Sequence, residues 1–208
     1  MPQTSTPVQP VIVVVGRKYC KPFDTVLVMK DRPFSTDKET EIHDVVGNLH
    51  FKLSAKPLSM RSKRFILDAE GQPVCNLVSK LLTLHDTTYL CPGDSASADS
   101  HLLQAKSGVM SLRPCMKVFL RGNTSLEPDI ELTGFFSKRN YRIVTRDGIL
   151  LAEVQKDGFA ARNSALPPSE AYYYVRVLTG VDTALVLALA ALADDMFPER
   201  DIDSLADD

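Results

Sequence analysis

No apolar run among the 208 residues approaches the roughly 20 needed to cross a membrane as a helix; the longest candidate is Ala184 to Ala193. Cysteine is sparse and unpatterned. Cys20, Cys75, Cys91 and Cys115 form no CxxC pair and have no nearby histidine at metal-ligand spacing, which argues against a zinc site and for reduced, buried thiols in a cytosolic chain. Val11 to Val15 is five residues long, follows Pro10 and has no basic flank before it, so it does not read as a secretory signal. Catalytic signatures are missing too: there is no GxSxG elbow, no HExxH, no phosphate-cradling glycine loop before a helix and no dinucleotide fingerprint. His43, His50, His85 and His101 are scattered over separate segments, and a Cys75–His85 meeting across a sheet is better read as packing than as a nucleophile and its base. No enzyme, metal or cofactor is expected from these residues. Tryptophan is absent altogether, and no segment repeats.

What remains is an ordinary globular composition, 44% hydrophobic and 24% charged, which excludes a largely disordered or fibrous chain. The net charge of −2 is unevenly spread. Residues 1–66 carry eleven Lys/Arg against six Asp/Glu, residues 67–180 carry twelve of each, and residues 181–208 carry one against eight. The basic first third leaves room for an anionic partner, whereas 199–208 reads as an acidic, solvated tail. Nucleic acid is disfavoured because aromatic and basic residues do not interleave in a recognisable module.

From residue 24 to 178 the chain is a succession of about twelve short apolar or alternating segments separated by turn residues, the pattern of an all-β domain. They centre on Val26–Met29, Ile42–Val46, Asn48–Ser54, Arg64–Asp68, Pro73–Lys80, Leu84–Leu90, Leu102–Ala105, Met116–Arg121, Ile130–Phe136, Tyr141–Thr145, Ile149–Gln155 and Tyr172–Leu178. Asp147-Gly148 reads as a two-residue hairpin loop and Asp68-Ala69-Glu70-Gly71 as a four-residue one, so both flanks should be antiparallel. Alternation places Met116, Val118 and Leu120 on one face and Lys117 and Arg121 on the other. Pro92–Ser100 and Asp157–Ala171 read as longer loops. Residues 1–22 read as an N-terminal extension whose Val11–Val15 segment could add an edge strand, and residues 23–198 as one domain.

One helix is predicted, over 182–197, with Asp182 as N-cap and Pro198 as its stop. Positions 184 to 193 offer it no polar face. A helix apolar all round must be enclosed on every side, and it is too short for lipid to be the enclosure. The strands must therefore surround it. A closed antiparallel barrel of about twelve strands has an interior wider than side chains alone can fill, and a helix fills it. The expected fold is thus all-β dominated: a roughly 12-stranded antiparallel closed β-barrel around a buried hydrophobic C-terminal α-helix.

These motifs resemble the LURP-one-related family, which shares the fold of the tubby C-terminal domain and the phospholipid scramblases. The likeness runs from Val26 to Met196. Phe65-Ile-Leu-Asp-Ala-Glu-Gly-Gln-Pro-Val74 is similar to the family's strand, Asp-Ala-x-Gly turn and strand, followed at matching distance by Leu84-His85-Asp86. Lys117-Val-Phe-Leu-Arg-Gly-Asn123, Gly134-Phe-Phe-Ser-Lys-Arg139, and Gly180-Val-Asp182 opening a helix that ends in Ala193-Asp194-Asp195 follow in the family's order. Thr88 and Phe136 stand where the family commonly has Trp, which marks a divergent member. The resemblance implies a tubby-like barrel and an association with plant defence, without a defined reaction.

Because tubby domains bind phosphoinositides, two basic clusters are the candidate anionic-ligand or lipid-binding residues: Arg61, Lys63 and Arg64 beside one hairpin, and Lys138, Arg139 and Arg142 beside another. They are chosen by charge clustering, since no tubby motif can be matched onto them. The expected partners are phosphoinositide head groups at a membrane surface, with a protein partner as the alternative. The expected location is the cytoplasm, with a peripheral plasma-membrane or a nuclear one left open.

Overall fold

A computed structural model describes residues 11–30, 39–56, 63–79, 87–95, 97–110, 113–156 and 172–197. Twelve strands are present: β1 (Thr25–Lys30), β2 (Thr40–Asp44), β3 (Leu49–Lys56), β4 (Lys63–Asp68), β5 (Pro73–Ser79), β6 (Thr87–Pro92), β7 (Leu103–Met110), β8 (Arg113–Leu120), β9 (Ile130–Phe135), β10 (Asn140–Thr145), β11 (Leu150–Gln155) and β12 (Tyr172–Val177). Each neighbours the next in sequence, and β1 pairs with β12, so the sheet closes in the order β1-β12-β11-β10-β9-β8-β7-β6-β5-β4-β3-β2. Every pairing is antiparallel; Thr25 faces Val177 and Lys30 faces Tyr172 across the closing seam. Inward positions alternate as the sequence indicates: Met116 and Val118 are fully covered, while Arg121 is exposed.

The one α-helix among the described residues, α1 (Thr183–Met196), fills the barrel. All residues from Thr183 to Asp194 are buried, which is the outcome a helix without a polar side requires. Its 14 residues span about 21 Å at ~1.5 Å each, comparable to the ~20 Å length of a six-residue strand such as β1 at ~3.3 Å per residue. The four leucines it buries contribute on the order of 1.5–3 kcal/mol each, relative to leaving them in water. Because strands alternate in direction, every loop lies at one of two ends. The mouth holds the start of α1, and the rim holds its C-terminus.

Three hairpins at the mouth are built alike. Gly47, Gly71 and Gly148 adopt positive φ (94°, 83° and 79°), and each donates its N–H to the carbonyl three residues earlier, at Asp44, Asp68 and Thr145. In each, the side chain of that first residue also accepts from the N–H four residues on: Asn48 to Asp44, Gln72 to Asp68, Ile149 to Thr145. These are three-residue loops with a glycine bulge, so the expected two-residue turn at Asp147-Gly148 and the expected four-residue loop at Asp68-Ala69-Glu70-Gly71 are both corrected. A two-residue type I′ turn needs positive φ at both residues, and only Gly148 has it.

The N-terminal segment is corrected as well. The closed barrel offers no edge to extend, and Val11–Val15 adds no strand. Instead the chain crosses the mouth as a stopper: Ile12 makes a single parallel bridge to Val181, and Ile12, Val14, Val15 and Tyr19 pack against the core. Asp182 holds it there. One carboxylate oxygen accepts from the N–H groups of Val14, Val15 and Gly16 at 3.1, 2.7 and 2.9 Å, and the other caps the helix through Ala184 and Leu185 at 3.1 and 3.2 Å.

Candidate functional site

The six basic residues singled out by charge clustering separate once folded. Arg61 lies outside the described residues, as does His85 of the Cys75–His85 pairing. Lys63 opens β4 at the rim. Arg64 forms an ion pair with Asp195, and burial lowers the pKa of its guanidinium. Lys138 is exposed, and Arg142 is exposed with its guanidinium 3.4 Å from Glu153.

Arg139 is a correction. It is 1% exposed and serves the interior, so no external anion reaches it. Its Nη1 donates to the Phe136 carbonyl at 3.0 Å and its Nε lies 3.2 Å from Asp194 Oδ1. Tyr173 donates its hydroxyl to Asp194 Oδ2 at 2.8 Å, and the guanidinium lies over the Tyr173 ring at 5.6 Å. Burial, reinforced by the Asp194 charge, pushes the Tyr173 hydroxyl well above its ordinary pKa. Phe136, in the short 3-10 turn before β10, stacks on Phe197 just past the helix end.

β4 and β10 are six strands apart in either direction around the closed sheet, so Arg64 and Arg139 approach the helix from opposite walls. The last turn of α1 contains no basic residue of its own. The walls supply the cations that its negative dipole end and two consecutive aspartates require.

The rim is nonetheless basic. Of its twelve strand-terminal residues, Lys30, Lys56, Lys63 and Arg113 are basic and none is acidic; Lys138 and Lys156 flank strands at the same end. At the mouth, the strand-terminal residues include Asp44 and Asp68 and no basic one. The two ends of the barrel thus carry opposite charge at their strand termini. This follows from where lysines and aspartates fall relative to strand direction, a pattern readable from the sequence once strand boundaries are known, and charge clustering alone missed Lys30, Lys56 and Arg113.

The mouth contains a pocket of about 200 Å³ between the N-terminal segment and the barrel, lined by Lys18, Tyr19, Lys21, Thr25, His50, Phe51, Asp68, Glu70 and Thr183. Sequence reasoning missed it, since the lining comes from five separate segments brought together only by barrel closure. His50 Nε2 lies 3.1 Å from Asp44 Oδ2. Burial alone would raise the Asp44 pKa, but hydrogen bonds from Asn48 and His50 and from the Asn48 and Val46 amides outweigh it and hold the carboxyl at about 2. Lys18 sits over the Tyr19 ring at 4.9 Å, and its pKa is raised by Tyr19 first, then by Asp68 and Glu70.

Burial raises the thiol pKa of Cys75, and of Cys20 and Cys115 less far, as suits inert thiols. Among the described residues no group of three or more His, Cys, Asp or Glu could hold a metal ion. No described helix is long and apolar enough to cross a membrane.

Residues 25–194 match the family model described as LURP-one-related. Protein LURP-one-related 9 of Arabidopsis thaliana is 29% identical, covering 88% of this chain and 97% of its own length. Protein LURP-one-related 15 of the same plant is 27% identical over 88% and 85%. The X-ray structure of another Arabidopsis thaliana protein superposes with a TM-score of 0.68 at 24% identity, covering 88% of this chain and 98% of that one. The likeness in structure concerns the fold.

Proposed function

Because the chain belongs to the LURP-one-related family and folds as that family's resemblance implied, we propose that it is a non-enzymatic binding module for an anionic membrane ligand, the phosphoinositide head group, with a signalling or defence-related role. The observation that carries this reading is the charge of the rim: four basic and no acidic residues at twelve strand ends, with Lys138, Lys156 and Arg142 beside them. Arg64 and Arg139 support it indirectly. By pairing with Asp195 and Asp194 they keep the acidic helix end from repelling an anion. Lys30, Lys138 and Arg142 are exposed and suit phosphate as charge-assisted donors.

The experiment is sedimentation with phosphatidylcholine vesicles with and without phosphatidylinositol bisphosphate. Basic residues near an anionic surface contribute about 1 kcal/mol each, so reversing Lys63, Lys138 and Arg142 to Glu should cost on the order of a hundredfold in vesicle affinity. Binding of the triple variant at wild-type strength overturns the reading.

A second reading, a protein-interaction scaffold, draws on the opposite end. Phe23, Val46, Leu126 and Ile149 are exposed apolar side chains on loops of the mouth. Capture of a partner that tolerates the rim reversals and is lost on Phe23→Ser and Leu126→Ser would favour it over lipid binding.

A further inference from the structure

The first two carboxylates of a longer acidic run are already seated on the rim. Asp194 and Asp195 stand in the last turn of α1, and Arg139 and Arg64 reach them from opposite walls of the barrel. The run continues past the helix. Residues 199–208, which lie outside the described residues, hold Glu199, Asp201, Asp203, Asp207 and Asp208 against the single cation Arg200.

The point from which this tail starts is fixed. Phe197 stacks on Phe136 with ring centroids 4.2 Å apart, and its N–H donates to the Ala193 carbonyl at 2.9 Å, so the chain leaves the barrel at the rim. Twelve strands ~4.8 Å apart and tilted by ~40° enclose a radius of about 12 Å. Ten residues extend to about 33–36 Å, so the tail reaches every strand end of the rim. Tethering at that range supplies an effective concentration on the order of millimolar.

Charge decides which surface suits it. Lys30, Lys56, Lys63 and Arg113 end strands at the rim, where no strand-terminal residue is acidic, and Lys138 lies beside them; Lys30 and Lys138 are exposed. The mouth is about 21 Å away along α1 and has Asp44 and Asp68 at its strand ends. A screening length of ~8 Å at physiological ionic strength confines the attraction to the rim.

We propose that residues 199–208 lie back on the basic rim and compete there with its anionic ligand, so that a membrane must displace the tail before it binds. The competition rests on the reading of the rim as a phosphoinositide surface; the docking does not. A tail docked about nine-tenths of the time lowers the apparent affinity for that surface about tenfold.

The test compares the full chain with a full-length variant whose tail carboxylates are neutral: Glu199→Gln, Asp201→Asn, Asp203→Asn, Asp207→Asn and Asp208→Asn. Backbone amide NMR without lipid comes first. The amides of Lys30, Lys63 and Lys138 should differ between the two proteins, those of Gly47, Gly71 and Gly148 at the mouth should coincide, and the differences should shrink in about 0.5 M NaCl. In sedimentation with phosphatidylcholine vesicles containing phosphatidylinositol bisphosphate, the neutral-tail variant should bind about tenfold more tightly than the wild type. Rim amides that coincide in the two proteins overturn the proposal even where the variant binds vesicles better, because that gain is then repulsion through solvent. Shifted rim amides with equal vesicle affinity overturn the competition. Vesicle binding by neither protein overturns the phosphoinositide reading, and the rim amides still decide the docking, so the two proposals fail separately.

Discussion

Arg139 and Asp194 form an ion pair at 3.2 Å with each side chain 1% exposed, joining the rim to the last turn of the central helix. Arg139 adopts a left-handed backbone conformation (φ 46°), which directs its chain inward from the 3-10 turn before β10. Such a residue is tolerated only where the surroundings fix it. Here they do: the Phe136 carbonyl, Asp194 and the Tyr173 ring all hold the guanidinium.

Removing one partner should therefore be far worse than removing both. Arg139→Met takes the counter-charge away from the buried Asp194 carboxylate, and is expected to destabilise by roughly 3–5 kcal/mol, as is Asp194→Leu, which leaves the Arg139 charge buried without its carboxylate. The double substitution should recover a large part of that loss, because two apolar groups need no compensation. Urea denaturation of the three variants checks this. Additive losses in the double variant would mean that the two residues act independently.

Asp182 couples two distant parts of the chain, and its removal should act on both. Asp182→Ala strips a carboxylate from five N–H groups, three of them 166 to 168 residues away. Hydrogen bonds to charged groups contribute about 1.5–3 kcal/mol each, and an N-cap about 1 kcal/mol, so a loss of at least 3 kcal/mol is expected. Amide exchange at Val14, Val15 and Gly16 should accelerate more than at the β7–β8 hairpin. Uniform acceleration across the barrel would mean that the segment is not held by Asp182.

The barrel was legible because its two signals are independent of tertiary detail. Twelve strand-like segments and one helix without a polar face have one common solution, and Leu187, Leu189 and Ala190 at 0–1% exposure are its consequence. The helix cap was legible for the same reason, since Asp182 precedes the apolar run. What escaped were relations fixed only by closure. Nothing near Arg139 in sequence tells that its charge is spent on Asp194, 55 residues on. The three glycine-bulge hairpins were open to recognition as Asp/Thr-x-x-Gly, but loop length depends on whether φ is positive at one residue or two. The pocket, assembled from Lys18, Thr25, His50, Asp68 and Thr183, left no local pattern at all.

Gly134 offers a sharper test of packing at the rim. Its φ of 143° is one that side-chain-bearing residues rarely adopt, and a Cβ there would lie 2.5 Å from the Asn140 carbonyl oxygen and 2.6 Å from the Tyr141 Cα. Both obstacles are backbone and cannot swing aside. Gly134→Ala should cost about 3 kcal/mol or more, whereas Gly108→Ala, whose nearest neighbour is the Cys115 sulfur at 3.4 Å, should be tolerated within about 1 kcal/mol. Equal melting temperatures for the two variants would refute the close β9–β10 approach.

Asp44 sets an acid limit on the mouth. Its folded pKa of about 2 lies below the ordinary 3.8, so the folded state favours the carboxylate. The stabilisation is present in full above pH ~4 and is lost as pH falls from there through about 2. The side chain is only partly buried, and solvent screening limits the contribution to about 1 kcal/mol. Asp44→Asn removes the acceptor for His50 and for the Asn48 amide, so the variant should be less stable at pH 7 by roughly that amount. Between pH 4 and pH 2 the wild type should lose stability faster than the variant, and the two denaturation curves should converge. Parallel curves over that interval would show that Asp44 keeps an ordinary pKa and that the β2–β3 turn draws nothing from its charge.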